Sequence, residues 1–359
     1  ASVLGGSEAS RITYTCLDKK QGNSSQKVGE TYINRFFENS DNQVAPVVSN
    51  AVKVQVVDRH ISGNVWLDKD RNNIRTTDDS FLSGIVASLY QMDASGNYEK
   101  AKDVYGNDVA EITTKADGAY EFKNLPKGTY RIVMTNMEKY LSQVEKHVGT
   151  DPTVDSDADG VIKTGGFGEL EKSQISGIEL PDKTKMADQT YRSEHNDSGL
   201  YINPALLPAL STNLRDRENS QYTEAVKNTV LTDTIQITRL NAFIGKTVTI
   251  TGTLYDKQTG QPLTINGKTV TASTTLNVTS ETGEVKNVFT FDAVGMQGKT
   301  VVATESILVD GKEIVSHKDL NDTEQMVFFP KISTILYQDI NGDKTANDGE
   351  KIIAFDLDK

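Results

Sequence analysis

Alternation of apolar and polar residues with a period of two, cut at short intervals by turn dipeptides, constrains this chain more than any other feature of its sequence. "KTVTITGTLYD" (246–256) and "KNVFTFDA" (286–293) place every second side chain on one face, the pattern of a half-buried strand. Ser95-Gly96, Asp117-Gly118, Lys127-Gly128, Thr259-Gly260, Asn266-Gly267 and Asp310-Gly311 supply residues that tight turns favour. Helical periodicity is nearly absent; the best short candidates are 136–148 and the start of 203–214. The expectation is an all-β chain of tandem β-sandwich domains, and 359 residues suffice for two to three of them.

Such a chain needs a source of stability. Cys16 is the only cysteine, so no intramolecular disulfide can brace it, although small domains outside the cell often depend on one. Acidic residues outnumber basic ones, 50 to 38, which disfavours nucleic acid or an anionic membrane as partner and suits bound cations. No apolar run reaches the roughly 18 residues of a membrane-spanning helix, and "ASVLGGSEAS" lacks the pattern of a signal peptide. The four histidines are scattered, a poor basis for a metallohydrolase, and a Cys–His pair at Cys16 is weakly supported. "LPKGT" (125–129) differs from the LPxTG sorting signal and reads as a hairpin turn.

Two acidic loops have the spacing of a twelve-residue calcium loop, in which positions 1, 3, 5, 7, 9 and 12 supply oxygen. The first offers Asp68, Asp70, Asn72, the carbonyl of Ile74, Thr76 and Asp79; the second Asp339, Asn341, Asp343, the carbonyl of Thr345, Asn347 and Glu350. Both are flanked by strand patterns rather than helices. A third cluster, Asp155, Asp157 and Asp159, sets carboxylates at alternate positions, where they repel one another unless a cation is present; Asp151 and Asp197 are available to join it. Solvated Asp/Asn turns are the alternative for all three. A repeat links the first two loops: Ile61-Ser62 and Ile332-Ser333 are each followed by an aromatic residue (Trp66, Tyr337) and an aspartate (Asp68, Asp339) at equal spacing.

Residues 60–202, with "ISGNVWLDKDRN", "ADGAYEFKNLPKGTYRIVM", "DSDADGVIKTG" and "NDSGLY" in order, resemble the B-type repeat of staphylococcal serine-aspartate surface proteins and the related collagen-adhesin B-type domains. Residues 207–330, with "VLTDTIQITRLNAFIGKTVTITGTLYDKQTGQPL", "VVATESIL" and "HKDLNDTEQ", resemble the VaFE-type surface domains that form a Thr–Gln ester. The resemblance implies Ig-like or prealbumin-like sandwiches. It implies Thr234 as nucleophile, Gln325 as acceptor, Glu305 as the buried glutamate, and His317 and Asp322 as supporting groups. Thr232 shares a strand face with Thr234, and only the family match selects between them. Whether His317 orients the network or relays a proton is open. A carboxamide is a poor metal ligand, but its carbon accepts a nucleophile with ammonia as leaving group.

The domain reading is 1–59 as the end of one sandwich, 60–203 as a B-type calcium-binding sandwich, 204–330 as an ester-forming sandwich, and 331–359 as the start of a further B-type unit or a calcium-loop tail. The expected function is the stalk of a cell-wall-anchored Gram-positive surface adhesin, extracellular, braced by the ester and by Ca2+. It would contact neighbouring domains of the same protein, with a host protein or glycan bound by a tip outside this sequence. The alternative is a sandwich that binds a host protein directly.

Overall fold

The computed structural model describes residues 58–182, 190–337 and 339–345, together with Thr31–Asn34, Phe37–Glu38, Val47–Val48, Val52–Gln55 and Lys351–Asp356. Strands dominate, and the chain is all-β. It divides into two compact units: Ala1–Met137, Ser142–Ile162 and Leu170–Ile202 in one, Glu138–Leu141, Lys163–Glu169 and Asn203–Lys359 in the other. Most of 1–57, Cys16 included, lies outside the described residues.

In the first unit, β1 (Asp58–Leu67) runs antiparallel to β2 (Ala119–Phe122) and parallel to β3 (Ser198–Ile202). A second sheet centres on β4 (Gly128–Thr135), between Val86–Met92 and Glu169–Leu180. Ile61, Val65, Trp66, Leu89, Phe122, Tyr130, Ile132 and Met134 fill the core. The turn at Lys127-Gly128 therefore does not close a hairpin. It is an arch that carries the chain from one sheet to the other, because β2 pairs with β1 while β4 pairs elsewhere. Alternation identifies the buried face of each strand but not its neighbour.

The second unit sets two antiparallel sheets face to face. One is β5 (Ala209–Asp216), β6 (Thr229–Thr238) and β7 (Gly283–Phe291), with β6 in the middle. The other is built on β8 (Thr247–Asp256) and β9 (Thr300–Val309), with β10 (Lys312–His317) and β11 (Met326–Phe328) both hydrogen-bonded to β9. Leu214, Leu231, Phe289 and Phe291 from the first sheet meet Leu254, Val301, Ala303 and Val327 from the second.

Neither helix candidate forms an α-helix. In 136–148, Met137, Tyr140, Leu141 and Val144 are buried at helical spacing, yet the backbone is turn and a short strand, Leu141–Gln143. In 203–214, one 3-10 turn (Pro204–Leu206) is capped by Asn203. It stops before Pro208, which disfavours helix in the residue that precedes it.

Candidate crosslinking and metal sites

The site in the second unit is assembled by alternation on three strands and one turn. On β6, Leu231, Asp233, Ile235 and Ile237 point inward, so Asp233 is the one charged side chain in an apolar stripe. On β5 the inward residues are Thr212 and Leu214, and Leu214 lies directly opposite Asp233 in the ladder. On β9, Glu305 points inward from a continuous buried run and pairs with Gly252 of β8. Gln325 closes the one-turn 3-10 helix Thr323–Gln325, at whose start Asp322 Oδ1 accepts from Glu324 N. Arg215 Nη1 donates to Glu324 O at 2.9 Å and ties β5 to that turn. Exposure falls to 8% for Thr212, 1% for Glu305, and 0% for Asp233 and Gln325. These polar groups are thus sealed from water.

Gln325 Nε2 donates to Asp233 Oδ1 at 3.3 Å. The Gln325 carbonyl oxygen and both Glu305 oxygens are buried without a partner. Burial, with the Asp233 charge next in weight, pushes the Glu305 carboxyl up to about 10; burial raises Asp233 only to about 6, because it receives hydrogen bonds. Two close buried carboxyls share one proton, and here it resides on Glu305. His317 lies opposite Glu305 in the β9–β10 ladder, with Nε2 2.9 Å from Asp322 Oδ2. Both are only partly buried and stand at the edge of the chamber.

The structure thus brings together Gln325, Glu305, His317 and Asp322, and it sets Thr234 apart from them. Thr234 is half-exposed on the outer face of β6, as is Thr232. A side chain on that face points away from Gln325, and a shift of one residue would put Asp233 in water. Thr212 lies on the buried face of β5, and its Oγ1 is buried without a hydrogen-bond partner.

The first acidic loop brings Asp68, Asp70 and Asp79 together, with one carboxylate oxygen from each within 4.8 Å of the others. Burial, and then the neighbouring Asp70 and Asp79, raises the Asp68 carboxyl, against two backbone N–H groups that lower it. Asp68 accepts from Arg71 N at 2.7 Å and Asn73 N at 2.9 Å, and Asn72 Oδ1 accepts from Ile74 N. Thr76 donates to Asp79. The second loop repeats this scheme: Asp339 accepts from Gly342 N at 2.6 Å and Lys344 N at 3.0 Å, and Asp343 Oδ1 accepts from Thr345 N. Positive φ recurs at matching positions, Arg71 and Asn73 in one loop, Gly342 and Lys344 in the other. Asn341 binds Asp343 within the loop, while Asn347 and Glu350 lie outside the described residues.

The 155–159 cluster is rearranged. Among the described residues, Asp155, Asp157 and Asp159 do not converge as a carboxylate triad. Asp159 accepts from Ser176 N, whereas Asp157 Oδ2 accepts from the backbone N–H of Asp197. Asp155 Oδ1 and Asp197 Oδ2 are buried without partners. Burial raises both carboxyls, Asp197 to about 6.

Comparison with known proteins agrees with this division. Residues 59–180 match the family model of the SdrD B-like domain, and residues 208–329 that of the T-Q ester bond containing domain. The two matches follow one another along the chain. Serine-aspartate repeat-containing protein D of Staphylococcus aureus (strain Newman) is 26% identical over 134 residues, 37% of this chain and 9% of that protein. Colossin-B of Dictyostelium discoideum is 33% identical over 120 residues, 33% of this chain and 3% of that protein. The chain therefore spans less than a tenth of the length of these relatives. A bacterial adhesin from Mobiluncus mulieris containing intramolecular disulfide, isopeptide and ester bond cross-links aligns at 16% identity and a TM-score of 0.30, over 35% of this chain and 59% of that one. The two domain matches bear out the resemblance to Gram-positive surface proteins of the adhesin and pilus type. Among the described residues no helix is long and apolar enough to cross a membrane.

Proposed function

We propose that residues 204–330 close on themselves through an ester between Thr212 Oγ1 and Gln325 Cδ, and that the chain serves as a load-bearing segment of a bacterial surface adhesin. The observations that carry this reading are the buried, unpartnered hydroxyl of Thr212, the buried, unpartnered carboxamide oxygen of Gln325, and two buried carboxyls of unequal proton affinity. Thr212 Oγ1 attacks the Gln325 carbonyl carbon, and Asp233 takes the hydroxyl proton. The protonated Glu305 donates to the Gln325 Oε1, which makes the carbon more electrophilic and stabilises the tetrahedral oxyanion. Collapse breaks the Cδ–Nε2 bond; the proton held by Asp233 passes to the leaving nitrogen, and ammonia departs. Each group acts once, on its own chain, so the event is maturation rather than enzymatic turnover. The intact chain should weigh less than its sequence mass by one ammonia, and Thr212→Ala should restore the full mass while Thr234→Ala should not. A folded wild-type chain of full sequence mass would refute the reading.

Calcium is the second brace we propose. Asp68, Asp70 and Asp79, with Asn72, Thr76 and the Ile74 carbonyl, form an all-oxygen donor set of the kind that suits Ca2+. The loop from Asp339 shares the hydrogen-bond scheme of the first. A bound ion would neutralise buried carboxylates and fix the loops. Calcium at a hundred times its dissociation constant should stabilise the chain by about 2.7 kcal/mol. Asp68→Ala should remove the share due to the first loop. An unchanged melting temperature across a calcium titration to millimolar levels would remove calcium from this account.

A further inference from the structure

Asn287 is the one polar residue on the inward face of β7, where its companions are Val285, Phe289 and Phe291. It is fully buried, and neither atom of its carboxamide has a hydrogen-bond partner. An apolar side chain there would avoid the cost of desolvating an amide, so the asparagine is explained only if its carboxamide has polar work to do. Three observations show where that work lies. Asn287 is directly opposite Asp233 in the β6–β7 ladder, so the two side chains project from neighbouring strands on one face. Across the core it meets Gly252, where an added Cβ would come within 3.0 Å of Asn287 Nδ2 and 2.7 Å of Phe289. Gly252 is in turn the ladder partner of Glu305, and the missing side chain leaves the gap that Asn287 occupies beside that carboxyl.

We propose that Asn287 is a positioning residue of the crosslinking site, its carboxamide donating to the free oxygen of Asp233 and accepting the hydrogen of the Glu305 carboxyl until that hydrogen turns to Gln325 Oε1 for the reaction. This assignment rests on the ester reading above and extends it. Asp233 Oδ2 and both Glu305 oxygens are the unpartnered atoms around the amide. A carboxamide offers a donor and an acceptor at once and does not titrate near neutrality. It therefore holds Asp233 in its ionised form and Glu305 in its protonated form, the two states the reaction requires. The other titratable groups at the site are His317 and Asp322, beyond Glu305 at the chamber edge. They face solvent on one side and do not replace the bridge.

The test follows the full chain, made by cell-free synthesis and sampled by intact mass over time at a series of pH values. Asn287→Leu, close in volume and unable to bridge, should slow the loss of ammonia by about tenfold or more. It should also narrow the active pH range from both sides. Without the donor, Asp233 holds its proton to higher pH; without the acceptor, Glu305 releases its proton at lower pH. A merely structural asparagine would leave both limbs in place. If wild type loses ammonia and Asn287→Leu matches it in rate and pH range, the role of Asn287 is wrong and the ester reading stands. If wild type never loses ammonia, the ester reading fails and takes this inference with it. Should Asn287→Leu not fold, the Thr212→Ala chain decides by NMR. Its Asn287 side-chain amide protons should exchange slowly with solvent and shift as the Asp233–Glu305 pair titrates; fast exchange or no shift would overturn the bridge.

Discussion

Thr212→Ala is expected to unfold at markedly lower denaturant concentration than Thr212→Ser. Serine keeps a hydroxyl at the nucleophile position, so the two variants differ by one buried hydroxyl and by the covalent bond it permits. The bond closes a loop from residue 212 to residue 325, joining the first strand of its sandwich to the turn that leads into the last. Chain-entropy arguments value a closure of that length at about 4–5 kcal/mol, in a model-dependent way. That is large against the ~5–15 kcal/mol total of an ordinary domain. Under load the effect is greater in kind: tension enters at the terminal strands and passes through the bond, so the strands between are not drawn out. Equal unfolding midpoints for the two variants, with Thr212→Ser crosslinked, would show that the bond does not brace the fold.

Asp233→Asn is expected to slow crosslinking by about 10²–10⁴-fold, the usual range for removing a general base. In the wild-type chain the rate should rise with pH as Asp233 ionises around 6 and fall as Glu305 loses its proton around 10. The order matters: the base must be ionised and the acid protonated, and the window between those values is where both hold. Glu305→Gln keeps a neutral hydrogen-bond donor and has no proton to lose, so the fall at high pH should disappear. Timed intact-mass measurements read both effects. An Asp233→Asn chain that crosslinks at the wild-type rate would remove Asp233 from the proton path.

The same alternation that identified the strands held a part of the site that the family resemblance did not. In "TVLTDTIQI" the apolar residues Leu231, Ile235 and Ile237 share the parity of Asp233, which places Asp233 inward and both Thr232 and Thr234 outward. The resemblance pointed to the threonine beside the aspartate; the periodicity sets that threonine on the outer face. Thr212 was hidden for a different reason. Its segment carries Pro204, Leu206 and Leu207, whose clustering imitates a short helix, whereas "ALSTNL" alternates and puts Thr212 and Leu214 on one buried face. Gln325, Glu305, His317 and Asp322 were candidates because the family resemblance named them, three of them within nine residues in an ordered motif. Asn287 gave no local signal, since its meaning depends on a ladder partner and on a glycine in the facing sheet, both set by tertiary pairing. The acidic loops are the opposite case. Their hydrogen-bond scheme is local, so spacing alone revealed that the loops from Asp68 and Asp339 are alike, while the dispersal of Asp155, Asp157 and Asp159 depends on Asp197 and Ser176, far away in sequence.

The claim that Thr212 and Gln325 are joined is tested most directly by protease digestion of the denatured wild-type chain followed by tandem mass spectrometry. The expected result is one branched peptide that links the segment containing Thr212 to the segment containing Gln325, lighter than the two together by one ammonia and split by alkaline hydroxylamine, which cleaves esters. Two separate linear peptides at full mass, or a branch that maps to Thr234 or Thr232, would contradict it.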